Sequence, residues 1–166
     1  MKQLPVTVKD WVTKAGLRAI VLFVHGSHHC GYVGVTKGHP LYGVPYSEPH
    51  PSLRREAIAD KQIGKRGIFP FMLAGMRDET EAIAADLFFD VHGSLTFSDK
   101  GKEDGYLPDP TTWWFGYDCA HLGDQTLTNR DYVEGVFRDE AYCIAECESL
   151  AAQLEAVREV GVRSAI

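Results

Sequence analysis

Nine residues, Trp113-Trp114-Phe115-Gly116-Tyr117-Asp118-Cys119-Ala120-His121, constrain the fold more than any other stretch. Four rings in five positions call for burial, and two neighbouring tryptophans cannot share one side of a strand. In an extended chain Trp113, Phe115, Tyr117 and Cys119 point one way, and Trp114, Gly116, Asp118 and Ala120 the other. The first set can fill a core. The second leads into Asp118 and on to His121, groups a core does not need, so the spacing predicts a strand with one packed face and one face carrying polar chemistry. At least one tryptophan is left for a pocket or an oligomer contact.

The run Ala19-Ile20-Val21-Leu22-Phe23-Val24 is continuously apolar and of strand length, as expected of a strand covered on both faces. A short Gly-containing link joins it to Cys30-Gly31-Tyr32-Val33-Gly34-Val35, which predicts a hairpin. Residues 36–51 carry Gly38, Pro40, Gly43, Pro45, Pro49 and Pro51, a density of breakers that reads as a shaped loop in which Tyr42 and Tyr46 could form a pocket wall. Residues 52–61 are expected to form a short helix with Ser52 as N-cap, and residues 78–87 are weakly helical. From Phe88 to Phe97 the pattern alternates, with Val91, Leu95 and Phe97 on a core face and Asp90, His92, Ser94 and Thr96 opposite. A polar loop over residues 98–112 is long enough for a lid or rim. Near the C-terminus Cys143, Cys147, Leu150, Leu154 and Val157 recur at helical spacing, widened by Ile144 and Ala151, with Glu146, Glu148, Glu155 and Arg158 on the remaining face. The expected fold is a single α+β domain: a mostly antiparallel sheet of four or five strands with the C-terminal amphipathic helix on one face and the ligand on the other.

A chain of 166 residues, 45% hydrophobic, supports one sizeable core. Its net charge of −6 lacks the electrostatic footprint of a duplex nucleic-acid binder. Cys30, Cys119, Cys143 and Cys147 form no paired CxxC units, which argues against a zinc ribbon or disulfide scaffold and for reduced thiols. No apolar run approaches membrane-spanning length and no signal-peptide core follows Met1, so the expected location is the cytoplasm, away from membranes.

The motifs Gly31-Tyr32-Val33-Gly34-Val35, Lys37-Gly38-His39-Pro40-Leu41-Tyr42-Gly43, His92-Gly93-Ser94-Leu95-Thr96-Phe97 and the aromatic stretch ending at His121 recur here in an order that resembles a family of small uncharacterised bacteriophage-encoded proteins, over roughly residues 19 to 155. The resemblance implies a phage protein acting in the host bacterial cytoplasm. It raises the expectation of an inhibitor of host immunity, one route to which is sequestering a nucleotide second messenger. It transfers no activity, so the site rests on the residues.

Three readings of those residues compete. In the first, the chain binds a small anionic nucleotide as a homo-oligomer and needs no cofactor. Trp114 and Tyr117 would stack on a base and Asp90, His92, Thr96, Asp118 and His121 would shape the pocket. Arg54, Arg55 and Lys65 would neutralise phosphate, as part of a cluster that puts five of the seventeen basic residues into thirteen positions. In the second, Asp90, His92, Asp118 and His121, with help from His25, His28 and His29, hold a divalent ion that activates water against a phosphoester. That requires the two polar strands to be neighbours. In the third, the acidic surface of residues 131–159 covers a host protein. Cys119 beside Asp118 invites a nucleophile reading, yet its face is that of Trp113, Phe115 and Tyr117, which predicts burial.

Overall fold

The computed structural model describes residues 4–54 and 81–164. In chain order these form β1 (Val6–Val12), β2 (Arg18–Val24), β3 (His28–Thr36), β4 (His50–Arg54), β5 (Ala82–Ile83), α1 (Ala85–Phe88), β6 (Phe97–Lys100), β7 (Thr112–Asp118), β8 (Asp124–Gln125), β9 (Val136–Phe137) and α2 (Glu140–Ser164). Five strands build one antiparallel sheet in the order β1-β2-β3-β7-β6, and α2 packs across it on β3 and β2. The architecture is the expected α+β arrangement. Among the described residues no helix is long and apolar enough to cross a membrane.

The apolar run of β2 has the double burial its composition demands. Ala19 and Val21 join the large cluster beneath α2, while Ile20, Leu22 and Val24 join a second cluster on the opposite face. The β2–β3 hairpin turns through His25 (φ 53°) and Gly26 (φ 62°), with Ser27 N donating to Val24 O at 2.9 Å. Positive φ at both central positions gives the turn a twist that matches the paired strands.

Helix α2 starts where Asp139 Oδ1 accepts the Tyr142 N–H at 2.8 Å, satisfying one of the first-turn donors. Cys143, Cys147, Leu150, Ala151, Leu154 and Val157 are all buried against the sheet. They meet Phe115, Tyr117 and Cys119 of the aromatic stretch, the set expected on that face. Tyr117 lies across Gly31, whose missing side chain leaves the room: a Cβ there would collide with the phenol. Its hydroxyl donates to Cys143 O at 3.0 Å.

Trp114 occupies the other face and is fully buried with Ile20, Leu22, Val24 and Cys30. Both tryptophans of the pair are thus accommodated, because the sheet is covered on both sides. Leu107 packs on this second cluster, and the indole of Trp114 donates to Pro108 O at 3.0 Å. The polar segment after β6 therefore seals one end of the second face.

Several local expectations give way to tertiary structure. Residues 88–96 are not a strand: Phe88 ends α1, and Val91 to Ser94 close a turn in which Gly93 (φ 66°) and Ser94 (φ 78°) are left-handed and Ser94 N donates to Val91 O. Phe97, which opens β6, packs on the second cluster and not with Val91 and Leu95. Val91 and Leu95 are buried as expected, but the turn breaks the alternation between them. Ser52 lies in β4 and caps no helix; the remainder of the proposed helix lies outside the described residues. Of residues 78–87, the described part holds β5 and the first residues of the single turn α1. Glu146, expected on the solvent face of α2, is buried.

Candidate functional site

Beyond the sealed part of the second face, toward the β2–β3 turn, a cleft of about 530 Å³ opens. Strand pairing positions its floor. Cys30 of β3 stands opposite Asp118 of β7, two register positions beyond the pair of Tyr32 and Gly116. Tyr32 lies across Gly116, where a Cβ would meet its ring, and reaches Phe97 edge to face at 5.5 Å between centroids. These two rings wall the cleft toward the sealed end. His25 and His28 rise from the hairpin on one side, and Thr96, Ala120 and His121 close the other.

The carboxylate of Asp118 is held by the end of its own strand. Oδ1 accepts the Ala120 N–H at 3.0 Å, and His121 Nε2 lies 3.3 Å from the same oxygen without the alignment of a hydrogen bond. The His121 ring rests on Gly93, so the left-handed turn that interrupts the expected strand is also the seat of a cleft residue. Burial lowers the His28 pKa despite the opposing pull of Asp118, and burial pushes the Cys30 thiol up to about 12. Cys30 is a neutral floor residue near pH 7. Among the described residues no lysine or arginine lines the cleft.

Three of the residues expected at the site, Thr96, Asp118 and His121, meet in this cleft. Tyr117 borders it, but its ring belongs to the core under α2. Trp114 is sealed and offers no ring to a ligand. Arg54 is exposed on β4, whose Leu53 joins the core beneath α2, and it does not line the cleft. Arg55 and Lys65 lie outside the described residues. Asp90 pairs through its backbone with the Gln153 amide, at 2.9 Å in each direction, and does not line the cleft.

His92 goes elsewhere as well. It is buried, with Nε2 at 2.7 Å from Asp124 Oδ2 and Nδ1 at 2.8 Å from the Tyr142 hydroxyl. The proposed metal set of Asp90, His92, Asp118 and His121 is not assembled as expected: the His92 ring stays 6.1 Å from that of His121, but both of its nitrogens are committed to Asp124 and Tyr142, and residues 88–96 do not form the strand that would have aligned the donors. Among the described residues no group of three or more His, Cys, Asp or Glu side chains comes together to hold a metal ion.

The His92 network is the part that sequence reasoning missed. Asp124 is buried and accepts from His92, from the Arg138 guanidinium at 3.2 Å and from His121 N–H at 3.0 Å. Burial works to raise its pKa; the hydrogen bonds from His92 and His121 N–H outweigh that, with Arg138 adding to them, and hold the carboxyl below the usual range. At the far end burial first, and the nearby Glu146 charge second, raise the Tyr142 phenol. The Tyr142 hydroxyl and the Asp124 carboxylate thus engage the two ring nitrogens of His92. Asp124 and Tyr142 carried no sequence signal: neither sits in an alternating or charged pattern.

Cys119, the candidate nucleophile, is buried 3.6 Å from the Cys143 sulfur, and that contact, with burial, raises its pKa far above the thiol range. No family model, curated protein or solved structure matches the chain.

Proposed function

We propose that the protein binds a small nucleotide signal in the second-face cleft and acts by sequestering it, the anti-defence role suggested by the resemblance to phage-encoded proteins. The observation that carries this reading is the cleft itself. Its volume is in the range of small-molecule sites, and Asp118, His121 and Thr96 from two motifs converge there beside the aromatic wall of Tyr32 and Phe97. Phosphate would meet His25 and His28 at the rim, a role reassigned from Arg54. Among the described residues His92 is committed to Asp124 and Tyr142 and Cys119 is buried, so neither is presented to a ligand in the cleft. Exposed Leu122, Leu127, Tyr132 and Val136, on the segment that follows the cleft strand, support the homo-oligomer. Sedimentation of the purified protein as a monomer across a concentration series would remove that part.

The test of the main reading is incubation with a panel of cyclic oligonucleotides and ADP-ribose-type messengers, with and without divalent metal, followed by heat denaturation. Depletion of one compound and its intact release is the expected result. Conversion to a product would make the protein an enzyme. A panel left undepleted would redirect the search to a host protein and to the inhibitor reading.

A further inference from the structure

We infer that Asp118 reads an amino-bearing nucleobase on the cleft floor, so that the ligand enters base first and leaves its phosphates at the His25–His28 rim. This rests on the nucleotide reading above and adds the ligand's orientation and class.

The argument begins with charge. Asp118 is an acid among groups that are otherwise neutral when the histidines are unprotonated, and no lysine or arginine side chain among the described residues lines the cleft to offset it. A phosphate placed at the floor would stand against a carboxylate in a partly dehydrated site, where like charges repel most strongly. A hydrogen-bond donor would be drawn to the same place. An ionised carboxylate only accepts, and its bonds to N–H groups are charge-assisted. One of its oxygens is committed, Oδ1 to Ala120 N–H with His121 alongside; Oδ2 carries no hydrogen bond among the described residues. The side chain is 35% exposed, which leaves that oxygen reachable.

Shape agrees with charge. The Tyr32 ring, laid over Gly116, and Phe97, set edge to face against it, give the cleft an apolar aromatic flank on which a base can pack. On the hairpin side His28 Nδ1 is occupied by Ser27 Oγ at 3.1 Å, so Nε2 is the nitrogen left to meet a ligand, and His25 is exposed at the turn. Donor-seeking chemistry thus lies on the β7 side of the cleft and anion-compatible chemistry on the hairpin side.

The experiment is calorimetric titration of the full chain with adenosine, guanosine and inosine 5′-monophosphates. Inosine lacks the exocyclic amino group of the other two. Wild type is expected to bind the adenosine or the guanosine nucleotide about tenfold more tightly than inosine monophosphate, about the 1.4 kcal/mol that corresponds to a tenfold ratio. Asp118→Asn should bring the three within about twofold while its unfolding midpoint stays at the wild-type value. Equal affinities in wild type, or a preference that survives in Asp118→Asn, would overturn the inference and leave nucleotide binding standing. Capture of a panel messenger with no binding of any monophosphate would overturn it too. Absence of binding to the monophosphates and to the panel alike would remove the nucleotide reading itself.

Discussion

Two aspartates six residues apart each face a histidine, and the protein uses the two pairs differently. Asp124 and His92 lie 2.7 Å apart with 2% and 10% of their side chains exposed; Asp118 and His121 lie 3.3 Å apart with 35% and 32% exposed. The buried pair is tied off by Arg138, Tyr142 and a backbone N–H. The cleft pair is open to solvent and imperfectly aligned. Residue type alone does not separate a structural acid–imidazole pair from one available to a ligand; the number of partners and the access of water do. The pairs also touch, because Asp124 fixes the backbone of His121. The cleft is positioned from the interior.

Truncating the buried acid should have the largest effect. Asp124→Ala leaves His92, Arg138 and His121 N–H without their acceptor, and a loss of about 3–5 kcal/mol is expected in urea unfolding; a loss below about 1 kcal/mol would erase the distinction between the pairs. Gly93→Ala acts on the join between them. It forces a left-handed backbone on a residue with a Cβ and drives that Cβ into the His121 ring. A cost of about 1–3 kcal/mol and weakened ligand capture are expected, read from unfolding midpoint and depletion together.

Acid should sharpen the contrast further. Because the Asp124 carboxyl is held below its unfolded value, its contribution is fully present above the ordinary carboxylate pKa of about 3.9. That contribution is lost as pH falls through the lower folded value. Urea midpoints measured between pH 6 and pH 2.5 should therefore fall more steeply for wild type than for Asp124→Asn; parallel curves would remove Asp124 as the source. The smallest effect belongs to the cleft. Asp118→Asn should change stability by no more than about 0.5 kcal/mol, since the side chain is half-exposed and lightly held. A larger loss would move Asp118 into the structural class.

The elements legible beforehand were those whose burial follows a local period. The β2 run, the odd and even faces of β7, and the stripe on α2 each repeat within a few residues, and burial matched them. The misreadings came where one period admits two structures. Residues 88–97 alternate apolar and polar, yet His92 is polar because it bonds Asp124, and Gly93 and Ser94 turn the chain. Glu146 has the composition of a solvent-face residue and lies buried beside Tyr142. The site was partly legible for a similar reason. Asp118 and His121 stood out as polar groups ending an apolar strand, whereas the placement of His25 and His28 beside them depended on the β2–β3 turn.

The sequence by itself determined the sheet, the helix and the two-sided burial of the aromatic strand, because side-chain alternation and helical spacing are properties of the chain's own geometry. Only tertiary structure decided that Trp114 would be sealed and Asp118 left open on the same strand face. One lies under residues 107–108 and the other beyond their reach, and no local pattern encodes where a loop stops covering a sheet.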